Sequence, residues 1–553
     1  MNMKKLIYIS LLVISAVFTS CELDRAPFSQ ISADELFKDP GAAQAATLGN
    51  YVFLKGDKGY DGWSDDLHRM SEYSGDNVMI SGGTTDHLYF FYNYRRNPNN
   101  SRANRFWRNS YRAIVGANRV IEGLEEGVSV EQDQVIGENY YIRALVFFQM
   151  GNIFGRPYNQ GTSNLSVPLK LTSDIEDLPD RNTVGEVYDQ VITDLLKAEG
   201  LMSINKGPSF ASREAAQALL SRVYLYMEDN GKAIEYADKV INSGRYSLLS
   251  SNEFAVMNTL APDSNSEAIF SITLTKGIDI PGDEDWFTIG SFYATIDGVG
   301  WGEMYASQTY LNLIEKNPQD LRKKFIQPQY LLDDNDQKIP AVYWVDNTYR
   351  YRFARTTDSG GTITFMYDGN NYTLQSEVVD GKTIYFFDGP SGRQDVTFDY
   401  DMDKRNGYPK FFILKASQQE FDLHLWSPTV SRLAEMYLNK AEAYAKQGSN
   451  QQALDNINIL RERANVPTYT LATLPVGETV LDVTLEERRL ELAFEGHRKF
   501  DVYRNNLTMD RRYPGTHLNG TNPFQQIDPN NNVIVEFIPE QQILIQPTLI
   551  QND

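Results

Sequence analysis

RLAEMYLNKAEAYAKQGSNQQALDNINILRERA, residues 432–464, decides the fold. Leu433, Tyr437, Ala441 and Tyr444 recur at helical spacing and form one apolar stripe. Gly448-Ser449-Asn450 interrupts the pattern as a short turn does. Ala453, Ile457, Leu460 and Ala464 then begin a second stripe. Two amphipathic helices joined by a tight turn make an αα-hairpin. Neither helix can bury its stripe alone, so the pair must pack on further helices.

Working outward, residues 212–227 and 230–242 read as a second hairpin. Tyr224 precedes Ala233 by nine residues, with Ala237 and Val240 following. Tyr444 precedes Ala453 at the same distance, with Ile457 and Leu460 following. This matched spacing resembles a tetratricopeptide repeat, in which small and aromatic residues interlock two helices. Helices are also expected over 42–54, from Arg102 through Ile121, over 138–154 and over 183–201. The last opens with Thr183 and Glu186 at capping-box spacing. LEERRLELAFEGHRKFDVYRN (485–505) reads as one strongly charged helix. A salt-bridged surface explains its carboxylates better than a glycosidase-type acid pair.

The hairpins are separated by residues 246–428, which change character. SEAIFSITL (266–274) and DGKTIYFFDG (380–389) are strand-like, and DGNN (368–371) and DGPSG (388–392) are turns. Residues 60–100 and 283–305, rich in Gly and aromatics, read as long loops, and loops of that length usually carry function.

Composition narrows the class. The 553 residues carry a net charge of -21, which argues against nucleic acid as a partner. Leu6–Phe18 is an apolar run preceded by two lysines and followed by Thr19, Ser20 and the single cysteine, Cys21. That is a signal peptide over 1–20 ending at a cysteine placed as in a bacterial lipobox. Lipidation of Cys21 would anchor the chain stably. No later stretch is long and apolar enough for a transmembrane helix. Walker A, GxSxG, HExxH and CxxC motifs are absent. Asp399, Asp401 and Asp403 resemble the start of a calcium loop, but Lys404 stands where glycine is needed and no Glu follows at loop position twelve. No metal or cofactor is expected.

Several stretches together resemble the SusD/RagB family of Bacteroidota lipoproteins. They are SEYSGDN (71–77), RFWRNSYRAIVGAN (105–118), ENYYIRALVFFQMGNIFGRP (138–157) and the hairpin at 212–242. Toward the C-terminus they are SRLAEMYLNKAEAYAKQG (431–448), INILRERA (457–464), EERRLELAFEGHRKFDVYR (486–504) and FIPEQQILIQPTLIQN (537–552). The resemblance implies a mainly α, SusD-like fold of tetratricopeptide-like helix pairs with a large loop-rich, partly β insertion. It divides the chain into an N-terminal region (21–245) and a C-terminal region (246–553). The latter holds the insertion (246–428) and a helical repeat (429–505). It also implies a non-catalytic outer-membrane lipoprotein facing the exterior. Such proteins capture oligosaccharide and pass it to a SusC-like TonB-dependent transporter. A peptide cargo, and a lipoprotein glycosidase, are the alternatives. Glu22 and Asp24 fit the acidic surface-export signal of such lipoproteins.

Sugars are held by aromatic faces and planar polar side chains. Two loops offer both, and they are expected to converge on one exposed platform. Tyr92, Asn93, Tyr94 and Arg95 come from the first, and Trp286, Tyr293 and Trp301 from the second. Arginines also cluster at 95, 96, 102, 105, 108, 112 and 119, where pairing with the chain's many carboxylates is the plainest expectation and an acidic sugar or partner surface the functional one.

Overall fold

A computed structural model describes residues 37, 40–56, 61–280, 288–379, 381–521 and 523–553. The signal peptide, Cys21, Glu22, Asp24 and Trp286 lie outside the described residues. The chain divides into a unit ending at Ala45 and a unit spanning Ala46–Asp553, which holds all that follows.

Eight helices make the scaffold: α1 (Ser101–Gly123), α2 (Val130–Phe154), α3 (Val184–Leu201), α4 (Arg213–Tyr226), α5 (Asn230–Ile241), α6 (Leu433–Lys446), α7 (Asn450–Arg463) and α8 (Val480–Glu491). Their ends follow the local chemistry. Thr183 and Glu186 form the expected capping box on α3. The Ser212 side chain accepts from Ala215 N to cap α4, and Asp229 accepts from Lys232 N to cap α5. Gly448, at φ +77, makes the turn into α7.

The two hairpins, separated by about 190 residues in sequence, pack directly on each other. Leu225, Ala233 and Ala443 share one buried cluster. Arg222 of α4 grips Glu435 of α6 through Nε and Nη2, each at 2.6 Å. Asn439 Nδ2 donates to Ser221 Oγ at 3.1 Å. The stripe residues Ala453, Ile457 and Leu460 are fully buried, with Val480 and Val483 of α8 against them. The interrupted repeats therefore rejoin as one helical layer, as their matched spacing implies.

The insertion contains a seven-stranded antiparallel sheet. Its strands are β1 (Pro340–Val345), β2 (Tyr351–Ser359), β3 (Thr362–Tyr367), β4 (Asn370–Thr373), β5 (Gln375–Val379), β6 (Lys382–Gly389) and β7 (Gly392–Tyr400), in spatial order β4-β3-β2-β1-β7-β6-β5. Val342, Trp344, Ala354, Phe365 and Phe387 form a small core on one face. On the other face Tyr343, Val345 and Phe353 pack against the cluster that contains Tyr92 and Tyr293.

Three expectations are corrected. The 60–100 stretch is not all loop: helices Trp63–Ser71 and Leu88–Asn93 and strand Val78–Ile80 lie within it. Helix Trp63–Ser71 escapes a hydropathy reading because its polar Asp66 and Arg69 are themselves buried. Residues 485–505 are not one helix, since Phe494 (φ +66) and Gly496 (φ +81) break it before helix Arg498–Arg504. Nor is that segment a charged surface: Glu487, Arg488 and Glu491 are fully buried. Their partners are Arg322, Arg461, Arg432, Arg463 and Asp501. An unpaired ion there would be strongly destabilising, so nearly every charge is matched.

Candidate functional site

Tyr92, Tyr94 and Tyr293 do not face solvent. Tyr92 is 0% exposed, Tyr94 4% and Tyr293 0%. Burial pushes the Tyr92 phenol well above its ordinary pKa, so it stays a neutral hydroxyl. It binds Nδ1 of His517 at 2.7 Å, while Nε2 of that ring meets Arg511 O at 2.7 Å. A carbonyl only accepts, so Nε2 carries the proton and Nδ1 accepts from the Tyr92 hydroxyl. The Arg511 guanidinium lies 4.7 Å from the Tyr92 ring and 5.3 Å from the Tyr94 ring. Tyr94 donates to Ser74 O and receives the Tyr503 hydroxyl at 2.8 Å. Asn93 donates to Tyr89 O at 2.8 Å, closing its own short helix. Tyr293 binds Nε2 of His68 at 2.7 Å. The two loops thus meet inside one hydrophobic cluster, beneath the surface, and these rings offer no free face for stacking.

Two of the expected residues remain at the surface. Arg95 is exposed and lies against the 515–520 loop: a Cβ on Gly520 would stand 2.8 Å from its Nη2. Trp301 is 42% exposed. Its carbonyl accepts from Arg405 Nη1 at 3.4 Å, and Nη2 of the same arginine binds Glu303 at 2.5 Å.

Next to these two lies an open cleft of about 520 Å³, lined by residues 81–83, 348–352, 406–408, 515–516, 518–519, 523 and 525. Each wall has a local cause. Asp346 folds the 346–352 loop by accepting from Thr348 N at 2.8 Å, Arg350 N at 3.1 Å and Arg352 Nε at 2.8 Å. That turn holds Tyr349 at φ +57. Asn406 (φ +53) and Gly407 (φ +84) form a two-residue hairpin turn that places Tyr408. Asn406 Nδ2 ties that turn to Ser81 O at 3.1 Å. The floor rests on the buried tyrosine. Gly515 passes so close to it that a Cβ would stand 2.4 Å from the Tyr92 hydroxyl. Tyr89 OH reaches Thr516 O at 3.4 Å.

The lining is therefore two half-buried phenols, Tyr349 and Tyr408, with the amides of Asn406, Asn519 and Gln525 and the guanidinium of Arg350. Arg350 is exposed and its side chain has no ion-pair partner among the described residues. Burial raises the Tyr408 phenol, and a hydrogen bond with Asn519 pulls the other way. No carboxylate or imidazole is found among the described lining residues. Aromatic faces flanked by amides and a guanidinium suit a polyhydroxylated ligand. The sequence signals that could have found this cleft are the Asn-Gly turn at 406–407 and the Asp346 turn.

Asp399 accepts from Tyr330 OH at 2.8 Å, Asp401 pairs with Arg355 and Lys404, and Asp403 pairs with Lys410. The alternating carboxylates are thereby committed to protein cations and a phenol. Among the described residues no cluster of His, Cys, Asp or Glu could hold a metal ion. No described helix is long and apolar enough to cross a membrane.

Comparison with known proteins places the chain. The model of the SusD family matches residues 263–553, more than half of the sequence. The chain belongs to the SusD family. A second family model, described as starch-binding associating with outer membrane, matches residues 60–225. SusD-like protein P2 of Formosa agariphila is 24% identical over 99% of this chain and 98% of its own length. The starch-binding protein SusD of Bacteroides thetaiotaomicron is 25% identical over 74% of this chain and 73% of its own. Among solved structures, a SusD superfamily protein from Bacteroides thetaiotaomicron superposes with a TM-score of 0.71 at 24% identity, covering 93% of this chain and 99% of that one. Surface glycan-binding protein A from Bacteroides uniformis gives 0.64 at 17% identity, over 93% and 99%. The SusD fold is thus a mainly helical one here, with the strand-rich insertion added.

Proposed function

We propose that this SusD-family chain is a non-catalytic glycan-binding lipoprotein of the outer membrane, anchored through Cys21 and facing the exterior, that passes oligosaccharide to a SusC-like transporter. The observation that carries the binding role is the Tyr349–Tyr408 cleft, with Arg350, Asn406 and Asn519 around the two rings. Trp301 and Arg95 stand at its margin and extend the surface a long ligand would cross. Family membership supports the transporter and membrane parts of this reading.

Hydrolysis is not favoured by the cleft's chemistry. Glycosidases need two carboxyl groups flanking the bond, and the described lining supplies none. Glu487 and Glu491, in the other acid cluster, are buried against arginines.

Isothermal titration with a panel of oligosaccharides tests the reading. Wild type should bind at least one of them, Tyr349→Ala and Tyr408→Ala should each weaken that binding at least tenfold, and chromatography should find the sugar intact. Binding that survives both substitutions overturns the site, and released fragments overturn the non-catalytic role.

A further inference from the structure

The chain carries 73 acidic against 52 basic residues, and on α1 the first two arginines meet acids as expected. Arg102 binds Asp86, and Arg105 binds Asp66 at 2.6 Å. Arg96, before the helix, packs 4.2 Å from the Phe537 ring. Three further arginines on α1 behave differently. The side chains of Arg108, Arg112 and Arg119 are exposed and make no hydrogen bond or ion pair with any described residue. Nearby acids are already engaged: Asp177 by Lys170 and Thr172, Glu122 by Ser173. Spaced i, i+4 and i+11, the three guanidiniums share one side of the helix over about 16 Å.

Beside this row runs a groove of about 680 Å³, predominantly apolar, floored by Trp107 and Tyr111 and walled by Ile175, Leu178, Ile545 and Leu549. Ile175 is 72% exposed and Ile545 67%. A contiguous apolar patch of this kind on a soluble surface marks an interaction site. The groove shares no lining residue with the Tyr349–Tyr408 cleft.

We propose that this groove docks an acidic, apolar-sided segment of a partner protein. Aliphatic side chains of the segment fill the groove, and its carboxylates lie against Arg108, Arg112 and Arg119. Charge complementarity selects this occupant. Three unmatched guanidiniums in line, on a chain of net charge -21, are cations kept for an external anion. Their linear spacing along an apolar trough matches one face of an amphipathic segment. An anionic bilayer would be repelled by the chain's overall charge and calls for a broad basic face.

The test uses the full-length chain and a fluorescent 16-residue amphipathic peptide with leucines on one face and glutamates flanking them. A second peptide replaces every glutamate with lysine. The glutamate peptide should bind in anisotropy titrations, more weakly at high salt, and the lysine peptide should not. The triple variant Arg108→Glu, Arg112→Glu, Arg119→Glu and the single variant Ile545→Asp should each weaken binding at least tenfold with unchanged thermal midpoints. Equal binding of both peptides, no binding to wild type, or full affinity in the triple variant overturns the proposal. Arginine-dependent pelleting with phosphatidylglycerol vesicles in place of peptide binding overturns it in favour of a membrane. Wild-type self-association in sedimentation that the triple variant abolishes overturns it in favour of a second copy.

Discussion

Arg432 donates from Nη1 to Oε1 of Glu491 at 2.6 Å, and neither side chain is more than 2% exposed. The same guanidinium reaches Glu267 and Glu495, so it joins the strand before α6 to the end of α8. Burial raises the Glu491 carboxyl, but Arg463, Arg432 and Arg322 outweigh it and hold the group below the ordinary carboxylate range.

Arg432→Ala takes one cation from a buried network in which Glu267, Glu491 and Glu495 then rely on Arg463, Arg322 and Lys415 alone. Removing one partner of a buried pair costs about 3–5 kcal/mol. Urea denaturation of the variant should show a loss of that order. A loss below about 1 kcal/mol, the surface-pair range, would mean that water reaches the network.

Arg222 and Glu435 form a second buried pair, between the hairpins. Arg222→Met alone should be destabilising by a similar amount, and Arg222→Met with Glu435→Leu should recover most of the loss, because the apolar pair strands no charge. A double variant as unstable as the sum of the singles contradicts this.

His68 gives a pH dependence. Burial, with Arg69 second, lowers its pKa from 6.5 to about 3. Between those values the unfolded chain binds a proton that the folded chain refuses. Stability from this group is therefore complete above pH 6.5 and is lost as pH falls toward 3, with a slope near 1.4 kcal/mol per pH unit inside the window. His68→Gln removes the term. Relative to wild type, its stability should improve by about that slope between pH 6 and 4, read from urea midpoints at each pH. Parallel curves for the two proteins would place the wild-type pKa near its ordinary value.

Tyr92→Phe separates support from contact. Removing the hydroxyl leaves His517 Nδ1 buried and unpaired, which costs about 1–2 kcal/mol. Because Gly515 and Thr516 rest on this ring system, glycan affinity should also fall, by less than in Tyr349→Ala. Trp301→Ala, at an exposed ring, should weaken binding. Equal binding losses in Tyr92→Phe and Tyr349→Ala would place Tyr92 in contact with the ligand.

The helical layer was legible because its signals are local. Spacing of Tyr444 and Ala453, the Thr183–Glu186 box and Gly448 each report on a few neighbouring residues. The cleft was not legible for the opposite reason. Tyr349 and Tyr408 are 59 positions apart; each sits in a local turn, but the hydrogen bond that ties the 406–407 turn to Ser81 acts only in space. Tyr92 and Tyr293 misled because an aromatic ring beside Asn and Arg reads as a sugar platform, whereas here buried His68, His517 and Arg511 supply the polar partners. Charge misled in the same manner at Glu487–Glu491. A one-dimensional reading sends charged residues to solvent and does not see Arg322 or Arg432 arriving from elsewhere.

The pairing of α4 with α6 also sets an order of events. Arg222 enters a hairpin complete by residue 241, yet its counter-ion, Glu435, is nearly 200 residues further on. Until that part of the chain arrives, the first hairpin has an apolar face without a cover and a cation without a match. Contacts of such long sequence separation make for slow folding. The α4–α6 interface can therefore close only after the second half of the chain has arrived.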